Sequence, residues 1–288
     1  MGSLTEDEVI VYSPVQPEGN SREENVGIFI DYDNVYWTLM NNHKHNPNSN
    51  ESEKNIFEKL WNTYGRENVR TFKAYADFDK VDTNLTSLQK KRVQIRHVYS
   101  NGKDEDKRKN SSDIELSIDV IESTYRELNI NRYVIVTADS DMIPLVSRLM
   151  YKGKIVDLYY LEDAVSDGKN NITTYANNFY NLYDFLGLSI IEYKAEEYVD
   201  AAIGIIYNWS LETRNQDFAL GYKILINTLE KNLNVPTNTT KEIISILEKN
   251  NHILDEDKKT SKGTYKGKIL NLESEKVKEV ISEELSVK

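Results

Sequence analysis

Apolar runs and helical spacings take turns along the first two thirds of the chain. "VGIFID" (26–31) is a short apolar run closed by an acid, as in a strand buried on both faces. "NIFEKLWNTYG" (55–65) places Ile56, Phe57, Leu60, Trp61 and Tyr64 at helical spacing, with Gly65 as its stop. "NVRTFKAYAD" (68–77) alternates and is rich in β-formers, which predicts a strand. "NLTSLQKKRV" reads as a short helix and "QIRHVYS" as the next strand. "SSDIELSIDVIESTYREL" (111–128) has apolar residues at 114, 116, 118, 120, 121, 125 and 128, a helix packed on a sheet with Ser111 or Ser112 as N-cap. "RYVIVTA", "DMIPLVSRLMYKG" and "KIVDLYYLE" predict strand, helix and strand, and "YNLYDFLG" a last short strand or a turn of helix. Alternation from 26 to about 186 predicts βαβ units, hence an α/β fold with a parallel sheet and helices on both faces.

The pattern changes after about residue 190. "EYVDAAIGIIYNWSLE", "GYKILINTLEKNL" and "TTKEIISILEKN" read as helices, and "HILDEDKKTSKGTYKGKILNLE" as two short strands around a Lys/Gly turn. Three helices and a hairpin are in the order of a winged helix. The expected division is a mobile polar leader over 1–25, an α/β domain over 26–186, and a mainly helical domain over 192–288 that ends in a β-hairpin wing.

Composition narrows the chemistry. With 39% hydrophobic residues over 288 positions, the chain can build a core. No window holds about 18 uninterrupted apolar residues, so no membrane span is expected. There is no cysteine, which excludes disulfides, thiolate metal sites and a cysteine nucleophile; a cytoplasmic location fits. The formal net charge of −11 argues against a protein that coats nucleic acid with a basic surface. Within that acidic chain, the window from Lys90 to Lys109 holds eight basic residues against three acids. It includes Lys90, Lys91, Arg92, Lys107, Arg108 and Lys109, and reads equally as a solvated face or a phosphate-binding track.

Carboxylates collect where strands end. Asp31 and Asp33 follow the first strand, Asp77 and Asp79 the second, and Asp139 and Asp141 the fourth, while Asp113 opens the helix before it. Ligands of open parallel sheets bind beyond these carboxyl ends. Each acid has a plainer reading. Asp139 or Asp141 can cap the following helix, Asp113 suits a helix dipole, and Asp33 and Asp79 suit surface turns. Asp31, Asp113, Asp139 and Asp141 converging together would repel unless a cation lay among them, and oxygen-only ligands suit Mg²⁺ or Mn²⁺. The four histidines show no ligand spacing, and His43 and His45 fall in an Asn-rich stretch that reads as exposed loop.

"FIDYDNVYW", "KNSSDIELSIDVI" and "VIVTADSDMIPLVSRL" together resemble the NYN domain, a branch of the PIN-like metal-dependent ribonucleases. The matching positions are Asp31 and Asn34, then Lys109 and Asp113, then Asp139 and Asp141 followed by Met142, Pro144 and Leu145; Asp77 is a weaker match to a further acid. Two departures, Thr137-Ala138 for Ser-Gly and Ser111-Ser112 for a glycine, keep the acids. The resemblance implies a PIN-like sheet and hydrolysis of phosphodiester bonds, with Asp31, Asp113, Asp139 and Asp141 as metal ligands and catalytic acids, Asp139 rather than Asp141 touching the metal. Asn34 and Thr137 would bind substrate, with Lys90, Lys91, Arg92, Lys107, Arg108 and Lys109 along the phosphate backbone. The implied partner is single-stranded or structured RNA, and domains of this kind often pair into homo-oligomers. Tyr32, Tyr36 and Trp37 would stack a base or belong to a helix core, Trp37 above all.

Two other readings stand beside it. "IFIDYDNV" also fits the opening of haloacid-dehalogenase-like phosphatases, with Asp31 as nucleophile, Asp33 as general acid, and Asp163 and Asp167 as metal acids. That leaves Asp113, Asp139 and Asp141 without work. A PIN-like domain could also keep its acids and serve as a catalytically weak RNA-binding scaffold.

Overall fold

A computed structural model describes residues 24–99, 111–161, 172–189, 193–212, 218–260 and 263–286. A six-stranded parallel sheet occupies the first part. Its strands are β1 (Val26–Asp31), β2 (Val69–Ala76), β3 (Gln94–His97), β4 (Arg132–Thr137), β5 (Ile155–Tyr160) and β6 (Asn178–Asn181), in the order β3-β2-β1-β4-β5-β6. The chain runs outward from β1 to one edge and then returns to the other side of β1. The strand order therefore reverses between β1 and β4, and open sheets of this kind bind ligands beyond the strands' carboxyl ends at such a point.

β1 and β4 are buried along their whole length because helices cover both faces. On one face Ile28, Ile30, Phe72 and Val134 meet α1 (Tyr32–His43), α2 (Ile56–Tyr64), α3 (Leu85–Lys90) and α6 (Leu182–Leu186). On the other, Phe29, Tyr75, Tyr133 and Ile135 meet α4 (Ser111–Arg126) and α5 (Ile143–Tyr151). Residues of one strand alternate between these two cores, as the pleat requires.

Two details fix the scaffold. Buried Asn55 caps α2, its side-chain oxygen accepting from the amides of Phe57 and Glu58 at 3.1 and 3.2 Å while its own amide donates to Asn48 and Ser49. Asn55→Ala is expected to cost about 1–2 kcal/mol, read as a lower urea midpoint at unchanged m-value. At the entry of β4 and β5, Arg132 donates to both oxygens of Asp157 at 2.8 Å and pairs with Glu24 at 2.8 Å.

For Tyr32 and Tyr36 the helix-core reading holds, on α1. Its apolar residues Tyr32, Val35, Tyr36 and Leu39 face the core, whereas Trp37 stands 41% exposed, the reverse of its expected burial. His43 ends α1 against the Tyr183 ring and half-buried His45 bonds the Lys54 carbonyl, so neither is exposed loop.

Beyond the sheet come α7 (Val199–Leu211), α8 (Tyr222–Leu233), α9 (Thr237–Lys249), an antiparallel hairpin of β7 (Ile253–Thr260) and β8 (Gly263–Leu270), and α10 (Glu275–Ser286). These elements share a core built on Ile203, Leu225, Leu229, Ile243, Leu247 and Val277. The three helices and hairpin follow the expected order, and α10 is an addition to it. Leu220 bridges to Lys268, and a Cβ on Gly267 would come within 2.6 Å of Ala219, so only glycine allows that approach. α9 packs on α1, with Asn238 bonded to Asn42 and Lys44 to Asn234. Among the described residues, no helix is long and apolar enough to cross a membrane.

Candidate metal centre

β1 ends on Asp31 and α1 begins at the next residue, so Asp31 stands in the N-cap position. Its carboxylate makes no cap bond and turns to other partners. One oxygen, Oδ2, accepts from Asn34 Nδ2 at 2.8 Å and from Thr137 Oγ1 at 3.0 Å. The other, Oδ1, is fully buried with no hydrogen-bond partner. Asn34 lies in the first turn of α1, and the same amide nitrogen also donates to Asp113 Oδ1 at 3.0 Å. A single side chain thus ties the end of β1 to the first turn of α4.

Thr137 ends β4 beside the end of β1, which is how its hydroxyl reaches Asp31. That hydroxyl also accepts from the Asp139 amide at 3.0 Å. Asp139 caps the short turn Ser140–Met142 by accepting from the Asp141 amide through Oδ1 at 2.9 Å. The capping role therefore falls to Asp139, and Asp141 lies exposed at the rim.

The electrostatics follow from this crowding. Burial raises the Asp31 carboxyl well above the usual carboxylate range, and the charge of Asp113 raises it further against the pull of Asn34 and Thr137. Burial also raises Asp113, with the charges of Asp139, Asp33 and Asp141 adding to it. Asp33 is raised by burial despite bonds from the Asp77 amide, at 3.3 Å, and from Trp37. Among the described residues, no lysine or arginine forms an ion pair with Asp31, Asp113, Asp139 or Asp141. A buried carboxylate oxygen without a donor, inside a set of oxygen-only acids, fits a hard divalent cation.

A second group adjoins the first. Carboxylate oxygens of Asp77 and Asp79 and a ring nitrogen of His97 lie within 4.8 Å of one another. Asp77 is buried and bonded to Lys80 at 2.7 Å, and His97 stands 3.7 Å from Asp79. His97 has no signature in the sequence, because its nearness depends on β3 lying beside β2.

The described part of the basic island lies away from the acids. Lys90 ends α3, and Lys91 and Arg92 lie in the turn entering β3, at the opposite end of the strands from the acids. Lys91 is engaged with Glu58 at 3.2 Å and Ser87 at 2.8 Å, and its carbonyl accepts from Trp61 at 2.7 Å. The structure thus does not bring Lys90, Lys91 or Arg92 to the acids. Lys107, Arg108 and Lys109 lie outside the described residues, as do Asp163 and Asp167.

The family model described as NYN domain matches residues 25–181. No curated protein matches the chain. Among solved structures, a protein of unknown function from Vibrio parahaemolyticus is similar, with 20% identity and a TM-score of 0.45, covering 58% of this chain and 98% of that one.

Proposed function

The chain belongs to the NYN domain family, and from that premise we propose that it is a metal-dependent ribonuclease that uses Mg²⁺ or Mn²⁺ to hydrolyse phosphodiester bonds. The observation that carries the reading is the buried, unpartnered Oδ1 of Asp31 among acids of like charge. Asp31 and Asp113 would hold the ion, with Asp139 contributing the oxygen its cap leaves over and Asp141 acting from the rim. When bound, such an ion activates water and stabilises charge on the scissile phosphate.

The chain's own residues divide the remaining work. Asn34 sets the spacing of Asp31 and Asp113 by donating to both. Thr137 fixes the rotamer of Asp31, so that Oδ1 stays uncommitted. Asp141, exposed, would accept a hydrogen bond from the attacking water and orient it. Lys107, Arg108 and Lys109 stand two to four positions ahead of α4 in sequence and would bind the RNA backbone, a contact that weakens with salt and carries little sequence information. Asn34 and Thr137 would reach the phosphate only by giving up bonds to carboxylates, so we assign them to positioning.

Family membership leaves the phosphatase reading without support; the scaffold reading is separated by experiment. Labelled single-stranded and hairpin RNA should be cleaved with Mn²⁺ or Mg²⁺ and spared in EDTA. Asn34→Ala should lower cleavage about 10–100-fold, the usual effect of losing a residue that orients metal ligands. Tight RNA binding without cleavage in either metal would reject the nuclease and leave the scaffold.

A further inference from the structure

The outer face of α4 carries an apolar seam that the sheet does not use. On α4, Ile114, Ile118, Ile121 and Tyr125 are separated by four, three and four residues, the heptad spacing by which one helix meets another, and Leu128 follows two residues past the helix end. The helix's core contacts come from Leu116, Val120 and Ser123, with half-buried Ile121 packed against the same core at the edge of the seam. Along the seam Ile114 is 58% exposed, Ile118 59%, Tyr125 66% and Leu128 74%; at the end of α5, Tyr151 is 90% exposed. At its middle lies a shallow apolar groove of about 510 Å³, lined by Ile118, Ile121, Glu122 and Tyr125 with Ser117. Those four residues stand at i, i+3, i+4 and i+7, the arrangement of a hole that receives a knob from a facing helix.

We propose that this seam is a homodimer interface, in which α4 packs antiparallel against α4 of a second copy. Three features favour a second copy. The hole sits at the centre of the seam, so a two-fold axis beside Ile121 brings each copy's isoleucines to the other's hole, a self-complementary contact. Charge is divided lengthwise: Asp113 and Glu115 lie in the first turn, while the far end carries Lys152, whose ammonium sits 3.7 Å over the Tyr125 ring, beside the Glu122–Arg126 pair and Glu127. Antiparallel packing sets each acidic first turn toward the partner's Lys152 end. Glu122, near the axis, is already neutralised by Arg126 at 2.6 Å. The exposed seam continues onto Tyr151 as one apolar face, where a stable interface takes ~800 Å² from each partner. Of the helices after the sheet, α9 packs on α1, across the sheet from α4, and among the described residues none of them covers the seam.

This assignment is independent of the nuclease reading. Light scattering on the purified full chain at about 100 µM, well above the dissociation constants of stable dimers, should give a dimer. Ile118→Lys and Tyr125→Ala, both at exposed positions, should each raise the dissociation constant at least about 100-fold with the circular dichroism spectrum unchanged. The chain has no cysteine, so Ile121→Cys supplies a single thiol. It should cross-link to itself through a bis-maleimide spanning the ~8–10 Å between packed helices, while Lys241→Cys on α9 should not. A monomer at that concentration overturns the proposal and gives the seam to another protein's helix. A dimer indifferent to both seam variants, or cross-linking equally at Lys241→Cys, also overturns it.

Discussion

Asp31→Asn is expected to abolish RNA cleavage while making the metal-free protein more stable. The substitution keeps the shape of the side chain and an oxygen to accept from Thr137 and Asn34. It removes a charge that is fully buried and faces Asp113. Loss of a preorganised charge at the reacting phosphate should lower the rate at least about 10²–10³-fold. The stability change follows from linkage. The folded-state pKa of Asp31 lies above its unfolded value, so the folded chain holds this proton more tightly. That stabilisation is complete below the unfolded value of about 4 and is lost as pH rises through the raised folded value. At neutral pH, metal-free wild type therefore carries a penalty the asparagine variant lacks. Thermal unfolding at pH 5 and pH 8 should show wild type losing more stability with rising pH, Mn²⁺ restoring it, and the variant responding little to either. Wild-type cleavage by the variant would move the chemistry to Asp77, Asp79 and His97.

Asp157→Ala should produce the largest loss of stability, about 3–5 kcal/mol, without touching the acids. Its carboxylate is 2% exposed and accepts from Arg132, from Tyr64 at 2.7 Å and from Asn178 at 2.8 Å. Removing it strands a mostly buried guanidinium with Glu24 as its remaining carboxylate, and breaking such pairs costs far more than forming them gains. Arg132 begins β4 and Thr137 ends it, so strand rise separates this pair from the site by about 17 Å. Urea unfolding should show the loss in midpoint, while the rate of RNA cleavage per folded molecule at low temperature should stay unchanged.

The sheet could be read from the sequence because its central strands are continuous apolar runs between helical spacings. α1 was legible only in part: Tyr32, Val35, Tyr36 and Leu39 have helical spacing, but Asp33 and Asn34 among them suit a turn equally. α10 escaped notice for a different reason: among twelve mostly charged or polar residues, Val277 and Val280 carry its buried contact. The convergence of Asp31 with Asp113 was legible, since strand ends and a helix start meet at the point of strand reversal. Asn34 as the bridge between them was not, because one amide serving two elements 79 residues apart has no signature in spacing. Nor was the division of labour between Asp139 and Asp141, which rests on one backbone amide.

α1 is also a rigid rod. Its twelve residues span about 18 Å, with Asn34 gripping the acids at one end and Asn42 and Lys44 holding α9 and Asn234 at the other. Removing one residue from the middle of this rod would swing its far end by about 100° relative to Asn34. Any graft that exchanges the C-terminal helices for those of another protein must therefore keep the length and phase of α1, or rewrite the surface around Asn42 and Lys44.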